Sequence, residues 1–478
     1  MHTWFQRILT GTLCAMLPII AYSSELPDMG SSTSKVLSEQ YEQLVGDAYM
    51  RQLRQFLPVI DDPELVEYIN DLGFRLVANA PDAQGRQFYF FLVNDSSLNA
   101  FALPGGYIGV HSELFLMAEN ESELAGVLAH EIAHVTQRHL ARRLERQQQL
   151  SFPTLAAILG GLILAAANPN AGIAAMSAAQ AGAQQMLINH TRANESEADR
   201  IGMQILSEVN LDPYGMATFF EKMEQTTRYL RLPPPVLLTH PVSQQRMADA
   251  RLRAAEFRVG LVPASTRLYL MQTKMRALVE KEVSTLERAQ ETLDKRAPDD
   301  VLTLYSRALL RMRQDKPIEA LTLAETLRQR EPKNLSFLLL ATKAMNALNQ
   351  HDAAEKLLAK ELELQPNHHA LTVAYAQTLM ANNKAAAARE KLLAYVSLPD
   401  TEPNVYQLLA AAQQASGHPD EVHESQGLYL LSIGDLHGAL AQFEVAVRSY
   451  SDDPYASARI NARIKQIQNI LMEQRRRR

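Results

Sequence analysis

The spacing of apolar positions changes character along the chain, and each change marks a different element. Phe88-Tyr89-Phe90-Phe91-Leu92-Val93 is an unbroken aromatic and aliphatic run, which predicts a strand. Residues 99–110 follow as a hairpin with its turn at Pro104-Gly105-Gly106. Leu124, Val127, Leu128 and Ile132 then recur at helical spacing, with no Pro or Gly between Val127 and Leu140. Glu119, Glu121 and Glu123 place negative charge near the start of that helix. Residues 153–187 are rich in Ala, Leu, Ile and Gly, and Asn168-Pro169-Asn170 divides them into pieces too short to span a bilayer comfortably. That segment reads either as a helical hairpin covering a cleft or dipping into a membrane surface, or as a pair of buried core helices. Beyond about residue 260 the pattern becomes periodic: Pro298, Pro332 and Pro366 are 34 residues apart, and so are Ala320, Ala354 and Ala388. A 34-residue period is the signature of tetratricopeptide repeats, each a pair of helices.

Composition narrows the setting. The chain has 478 residues, 47% apolar and 21% charged, enough for two or more globular domains. A net charge of -6 gives no reason to expect nucleic-acid binding. Arg7, the apolar stretch 8–20 and the small-residue site Ala21-Tyr22-Ser23 read as a cleavable export signal over residues 1–23. The single cysteine, Cys14, falls inside it, so the exported protein would carry no thiol. The remaining boundaries read as a first domain over 24–260 with the apolar insert at 153–187, repeats over 265–465, and a basic tail over 466–478.

The chemistry is concentrated in His130-Glu131-Ile132-Ala133-His134 on the predicted helix. Residues four apart share a helix face, so both imidazoles can reach one metal ion, and zinc suits such donors. Glu131 is placed to act on water as a base. Catalytic zinc takes three protein ligands and keeps a fourth position open. The acidic segment Asn194-Glu195-Ser196-Glu197-Ala198-Asp199, beginning 64 residues beyond His130, offers candidates for the third.

These motifs resemble the gluzincin peptidases of the CAAX prenyl protease and HtpX type. In that family HExxH is followed by a second helix bearing E-x-x-A-D, whose Glu is the third ligand. The match falls on Glu195, with Ala198 and Asp199 completing it. The resemblance therefore implies one zinc ion on His130, His134 and Glu195, with Glu131 as the base. Asp199 lies on the same face as Glu195 and suits a role holding a ligand imidazole. Glu197 reads as a solvated helix acid and His139 as an ordinary helix residue. His240-Pro241 and Arg246 match the family's H-P-x-x-x-x-R segment. Two roles stay open for His240: a donor to the oxyanion, or a fourth metal ligand that leaves the resting enzyme latent. Arg246 is read as a catalytic-site residue that orients this segment or adds positive charge near the oxyanion. Zinc peptidases of this kind receive substrate as a strand added beside the zinc helix. Residues 99–110 are the candidate edge, with Asn99, Phe101, Gly105 and Gly106 as its contact positions. The implied fold is an α+β zincin-type catalytic domain followed by an all-α tetratricopeptide-repeat solenoid. The chain departs from the membrane-embedded members of the family by lacking long uninterrupted apolar spans.

Peptidase, repeats and export signal together resemble periplasmic proteases that act on outer-membrane β-barrel proteins of Gram-negative bacteria. The resemblance implies an endopeptidase with chaperone-like action, held in the periplasm in association with the outer membrane. Unfolded or misassembled outer-membrane proteins would be its clients, and the repeats would dock on the β-barrel assembly machinery. A surface contact with membrane is a further expectation, through the apolar insert or the basic tail. Two other readings fit the residues: a non-proteolytic assembly scaffold, and a general periplasmic peptidase for unfolded proteins. The intact Glu131 favours an enzyme, because a pure scaffold has no need of a base.

Overall fold

A computed structural model of the chain describes residues 38–54, 56–146, 192–228, 234–260, 262–398, 401–450 and 453–476. The expected export signal (1–23), the apolar insert (153–187) and residues 477–478 of the tail lie outside the described residues. The aromatic run forms β2 (Tyr89–Val93), inside a four-stranded sheet with β1 (Val59–Ile60), β3 (Ala100–Leu103) and β4 (Tyr107–His111), in the order β1-β2-β4-β3. β2 runs parallel to β4, while β3 folds back antiparallel on β4 with Ala100 opposite Val110. Alternate side chains of a strand face opposite ways, so β2 has two faces to bury. Phe90 and Leu92 join the main core with Ile108 and Val110, whereas Phe91 and Val93 pack with Met50 and Leu53 of α1 (Glu39–Leu53). Cover on both faces explains why β2 is continuously apolar rather than alternating.

The hairpin turn is as the sequence suggests. Gly105 and Gly106 adopt φ of 75° and 79°, a region glycine enters without penalty. A Cβ on Gly106 would sit 1.9 Å from the Gln87 carbonyl oxygen, so no larger residue fits there. Asp62 caps α2 (Pro63–Val77), its carboxylate accepting from the backbone N–H groups of Glu64 and Leu65 at 3.2 Å. After α3 (Ser112–Met117), α4 (Glu121–Thr136) runs through the middle of the core. Leu124, Leu128 and Ile132 are fully buried, and so are Ala125, Ala129 and Ala133, which leaves α4 enclosed on every side. α4 packs against α2, β3, α5 (His139–Arg146), α6 (Arg192–Glu208) and α7 (Tyr214–Thr227); α8 (Pro235–Thr239) and α9 (Gln244–Ala254) follow, with α9 packed on α6 and α7.

The second half is helical throughout its described residues: α10 (Thr266–Val279), α11 (Val283–Arg296), α12 (Val301–Arg313), α13 (Pro317–Arg330), α14 (Leu335–Ala347), α15 (His351–Leu364), α16 (His369–Ala381), α17 (Ala385–Val396), α18 (Pro403–Ala415), α19 (Pro419–Ser432), α20 (Leu436–Ser449) and α21 (Pro454–Arg476). Ala320, Ala354 and Ala388 are completely buried where successive helices meet. Asp315, Asn349 and Asn383 share the 34-residue period and turn the chain with φ of 55°, 59° and 58°. Asp and Asn tolerate this left-handed geometry better than most residues. The tail expected from residue 466 is instead helix as far as Arg476. Ile460, Ile464, Ile467 and Leu471 continue at helical spacing and pack with Phe443, so the apolar face overrides the basic composition.

The two halves do not separate cleanly near residue 260. Leu268, Met271 and Met275 of α10, with Tyr305 and Phe337 beyond, belong to the same core as Leu65, Leu114 and Phe115. Gln272 donates from Nε2 to the carbonyls of Phe115 (2.9 Å) and Ala118 (2.7 Å), and Tyr269 donates to the Glu119 carbonyl at 2.9 Å. The buried Lys274 ammonium bridges Asp62 and Glu64. The array then curls back. His368 meets Glu67 at 3.1 Å, Asn404 donates to the Asp61 carbonyl at 3.1 Å, and Arg54 donates to the Ser432 carbonyl at 3.2 Å.

Gln272→Ala should therefore cost about 1–3 kcal/mol of stability, the usual penalty for buried groups left without partners. Urea denaturation of the full chain measures it. A chain ended at residue 264 should unfold at lower urea than the intact protein, and equal midpoints would contradict a shared core.

Candidate active site

α4 begins at Asn120, whose Oδ1 accepts from the Glu123 backbone N–H at 3.0 Å. The buried Glu123 carboxylate accepts from Thr218 at 3.1 Å and Lys222 at 2.7 Å, which fixes the helix against α7. α6 approaches α4 closely because Gly202 has no side chain. A Cβ there would lie 3.2 Å from the His130 backbone nitrogen and 2.6 Å from Met216 Cε. That approach brings Glu195 and Asp199 to the histidines. His240 ends α8, its backbone N–H donating to the Val236 carbonyl at 2.7 Å, and Ser243 caps α9 by accepting from the Arg246 N–H at 3.2 Å. The Val236 N–H donates to the Leu98 carbonyl at 3.3 Å, which ties this loop to the start of β3.

His130, His134, Glu195 and His240 offer ligand atoms that all lie within 4.8 Å of one another, and all four are buried. His130 Nε2 is 3.0 Å from His134 Nε2, and each faces Glu195 at 3.4 Å. His240 Nδ1 stands 3.3 Å from both His130 Nε2 and Glu195 Oε2, and its Nε2 is 3.5 Å from Glu131 Oε1. Two imidazoles and a carboxylate on a rigid pair of helices, with a third imidazole facing them, are the donor set of a divalent metal site.

The outward-facing atoms are held as firmly. Asp199 lies 2.9 Å from His130 Nδ1 and accepts Arg246 Nε and Nη2 at 2.9 and 2.8 Å. Arg246 Nη1 also meets Glu195 Oε2 at 3.0 Å and donates to the Pro241 carbonyl at 2.8 Å, with the guanidinium 4.9 Å from the Phe220 ring centre. Arg246 is thus committed to the carboxylates behind the ligands. Burial alone would lower the His130 imidazole, but Asp199 and Glu195 outweigh it and lift it to about 10. Burial would raise Glu195, yet the His240 charge and the hydrogen bonds from His130 and His240 hold it well below the usual carboxylate range. Asp199 is lowered against its burial by His130 and Arg246.

Two residues differ from their expected roles. His139 is completely enclosed, its Nδ1 2.7 Å from His134 Nδ1 and its Nε2 3.0 Å from Glu197 Oε2. Arg142 donates to the same Glu197 oxygen at 3.0 Å. His139 is therefore no ordinary helix residue, and Glu197, with its side chain 32% exposed, is a partly solvated acid that pairs with it: together they hold the outer nitrogen of His134, as Asp199 holds that of His130. The cause is Arg138, whose φ of 51° ends α4 and swings α5 back towards the ring. Nothing in the local sequence announces that turn.

β3 lies at the edge of the sheet beside α4. Phe101, partly buried, is edge-on to Phe91 at 5.8 Å and to His111 at 6.0 Å. Asn99 is buried, with its carbonyl accepting from the His111 N–H at 3.0 Å. Gly105 packs against Gln43 of α1 and Gly106 against Gln87, so both glycines shape the turn.

Metal-dependent cleavage of peptide bonds is the chemistry that this fold and cluster define, and the chain is a metallopeptidase. The model of peptidase family M48 matches residues 63–254, from α2 to the end of α9. The chain is 38% identical to the β-barrel assembly-enhancing protease of Yersinia pestis over 449 residues, 93% of this chain and 92% of that one. It is 38% identical to the protein of that name from Escherichia coli K12 over 464 residues, covering 96% and 94%. Similarity to the mitochondrial metalloendopeptidase OMA1 of Schizosaccharomyces pombe is 26% over 214 residues, 45% of this chain and 58% of that one. The chain belongs to peptidase family M48.

Because His130 holds a proton tightly without metal, metal uptake has to displace that proton. Affinity of the stripped protein should therefore rise with pH, by about tenfold per unit if one proton is released. Chelator competition between pH 6 and 9, a range of roughly physiological titrations, reads this directly. A constant affinity would contradict the assigned coupling.

Proposed function

We propose that the chain is an exported zinc metalloendopeptidase that acts on misassembled outer-membrane β-barrel proteins in the periplasm. The observation that carries the chemistry is the buried cluster of His130, His134, Glu195 and His240, with Glu131 on the same helix. In this reading His130, His134 and Glu195 hold one zinc ion, which when bound activates water and polarises the scissile carbonyl. Glu131 takes the proton of the attacking water and returns it to the leaving amine. Asp199 and Arg246 orient His130 and Glu195, so Arg246 works through the carboxylates rather than on substrate. The outer edge of β3 receives substrate as an added strand, with main-chain hydrogen bonds that accept many sequences. An unclosed β-barrel exposes strand edges and would suit such a site.

The names of the relatives in Yersinia pestis and Escherichia coli support the link to β-barrel assembly. The repeats would bind the client or its assembly machinery, and that arm also supports a chaperone-like action alongside proteolysis. His240 would hold a fourth position at the zinc in the resting state. Its Nδ1 stands 3.3 Å from both His130 and Glu195, which favours that role over an oxyanion donor.

Glu131→Gln should retain zinc and lose casein cleavage by about 10²–10⁴-fold, the usual contribution of a general base. Cleavage equal to the unaltered protein would sink the assignment. His240→Ala separates the two roles at equal zinc occupancy. A latch predicts faster cleavage, whereas an oxyanion donor predicts a loss of about 10²-fold.

A further inference from the structure

Arg138 makes the left-handed turn that brings His139 to His134, and what holds that turn lies on another element. A φ of 51° is unfavourable for a residue that carries a Cβ, so something beyond the local chain has to fix it. Both Nε and Nη2 of Arg138 donate to one carboxylate oxygen of Glu42 on α1, at 3.0 and 2.5 Å. The two side chains are 11% and 14% exposed, so little water competes for this charge-assisted pair.

What the pair holds reaches the ligand cluster. For His134 to offer Nε2 to a metal ion, its proton has to sit on Nδ1, and His139 Nδ1 accepts it at 2.7 Å. His139 in turn donates from Nε2 to Glu197 at 3.0 Å, so each link fixes the tautomer of the next. His139 opens α5 directly after Arg138, and the Arg142 N–H donates to the Arg138 carbonyl at 2.9 Å. The start of α5 is therefore placed by the arginine that Glu42 grips.

α1 is itself fixed further along. Near its middle, a Cβ on Gly46 would come within 2.0 Å of the Pro104 carbonyl oxygen, and Asp47 accepts from Tyr107 at 3.0 Å. At its far end the repeat array returns. A Cβ on Gly434 would lie 1.9 Å from the Arg51 carbonyl oxygen, and Arg54 donates to the Ser432 carbonyl at 3.2 Å. Glu42 and Arg51 are about 13 Å apart along a helix, short enough to move as one rigid rod. With the middle pinned, the contact at one end sets the tilt at the other.

We propose that α1 braces the metal site against the repeat array. Glu42 is a positioning residue that fixes His134 through Arg138 and His139, and the turn at 432–434 seats the helix that carries it. This rests on the reading of His130, His134 and Glu195 as metal ligands. Closure of the array then favours a formed metal site, and metal binding favours closure by the same factor. Displacing the turn from α1 loosens His134, so the arm acts on the metal site without touching substrate.

The test measures zinc affinity of the full-length protein by chelator competition, with the urea midpoint of each zinc-free variant beside it. Glu42→Ala should weaken zinc binding by about tenfold, the usual effect of losing an outer partner of a metal ligand. Arg138→Lys, which keeps the charge, should weaken it less. Neither loss should appear in a His139→Phe background, where affinity is already reduced, because the path runs through His139. Gly434→Ala and Arg54→Met should each weaken binding by about threefold, a typical coupling between distant contacts. Added zinc should in return slow hydrogen exchange at residues 430–436. Zinc lost from His134→Ala but bound normally by Glu42→Ala overturns the proposal and leaves the ligand assignment standing. Normal binding by His134→Ala overturns both. A Glu42→Ala loss of equal size in the His139→Phe background, with a lowered urea midpoint, marks a general loss of stability and overturns the positioning role. Unchanged affinity in both Gly434→Ala and Arg54→Met overturns the bracing by the array.

Discussion

Around α4 the residues His130, Glu131, His134, Glu195 and His240 are each at most 6% exposed, so their charges have to cancel one another without help from water. That constraint organises the peptidase half. Asp199 faces His130 at 2.9 Å while accepting both Nε and Nη2 of Arg246, and Arg246 also meets Glu195. A cation from α9 therefore neutralises carboxylates on α6 that hold imidazoles on α4. None of these helices can shift alone without leaving a buried charge unpaired. The absence of a side chain at Gly202, which lets α6 reach α4, is the steric counterpart of the same requirement.

Features with a local period were legible in the sequence. The apolar run at 88–93, the glycine turn, the helix carrying His130 and His134, and the 34-residue repeats all stand where their spacing puts them. The Glu195 and Asp199 pair was legible through resemblance, since two positions four apart on a helix must face the same way. What escaped depends on contacts between distant elements. His139 reaches His134 only because Arg138 turns left-handed, and Glu197 matters only because His139 and Arg142 come to it. The basic composition near the end of the chain likewise hid the buried Ile460 and Ile467 that keep α21 helical.

The seam between the halves was hidden for a related reason. The change of period near residue 260 marks where the secondary structure changes, not where the core ends. Leu268 and Met271 look like the apolar stripe of any repeat helix, but they pack with Phe115 and Leu114 rather than with repeats alone. The joint is also polar: burial and the neighbouring Asp71 push Glu67 up to about 7 and burial lowers His368, so the two meet as a hydrogen bond more than as an ion pair. The repeats are thus part of the peptidase domain's interior as well as an arm extending from it.

The return of the array has one more consequence. Gly434, at φ 86°, lies against the Arg51 carbonyl so closely that a Cβ would come within 1.9 Å of it, far along the chain from the first repeat helix packed on the same domain. A solenoid anchored near both ends is a closed loop, and its curvature must bring the far turn back to a fixed point. Open arrays can gain or lose a unit and simply become longer or shorter. Here an extra pair of helices would carry Gly434 past α1, and a missing pair would leave it short, so the number of repeats is set by the size of the domain they encircle.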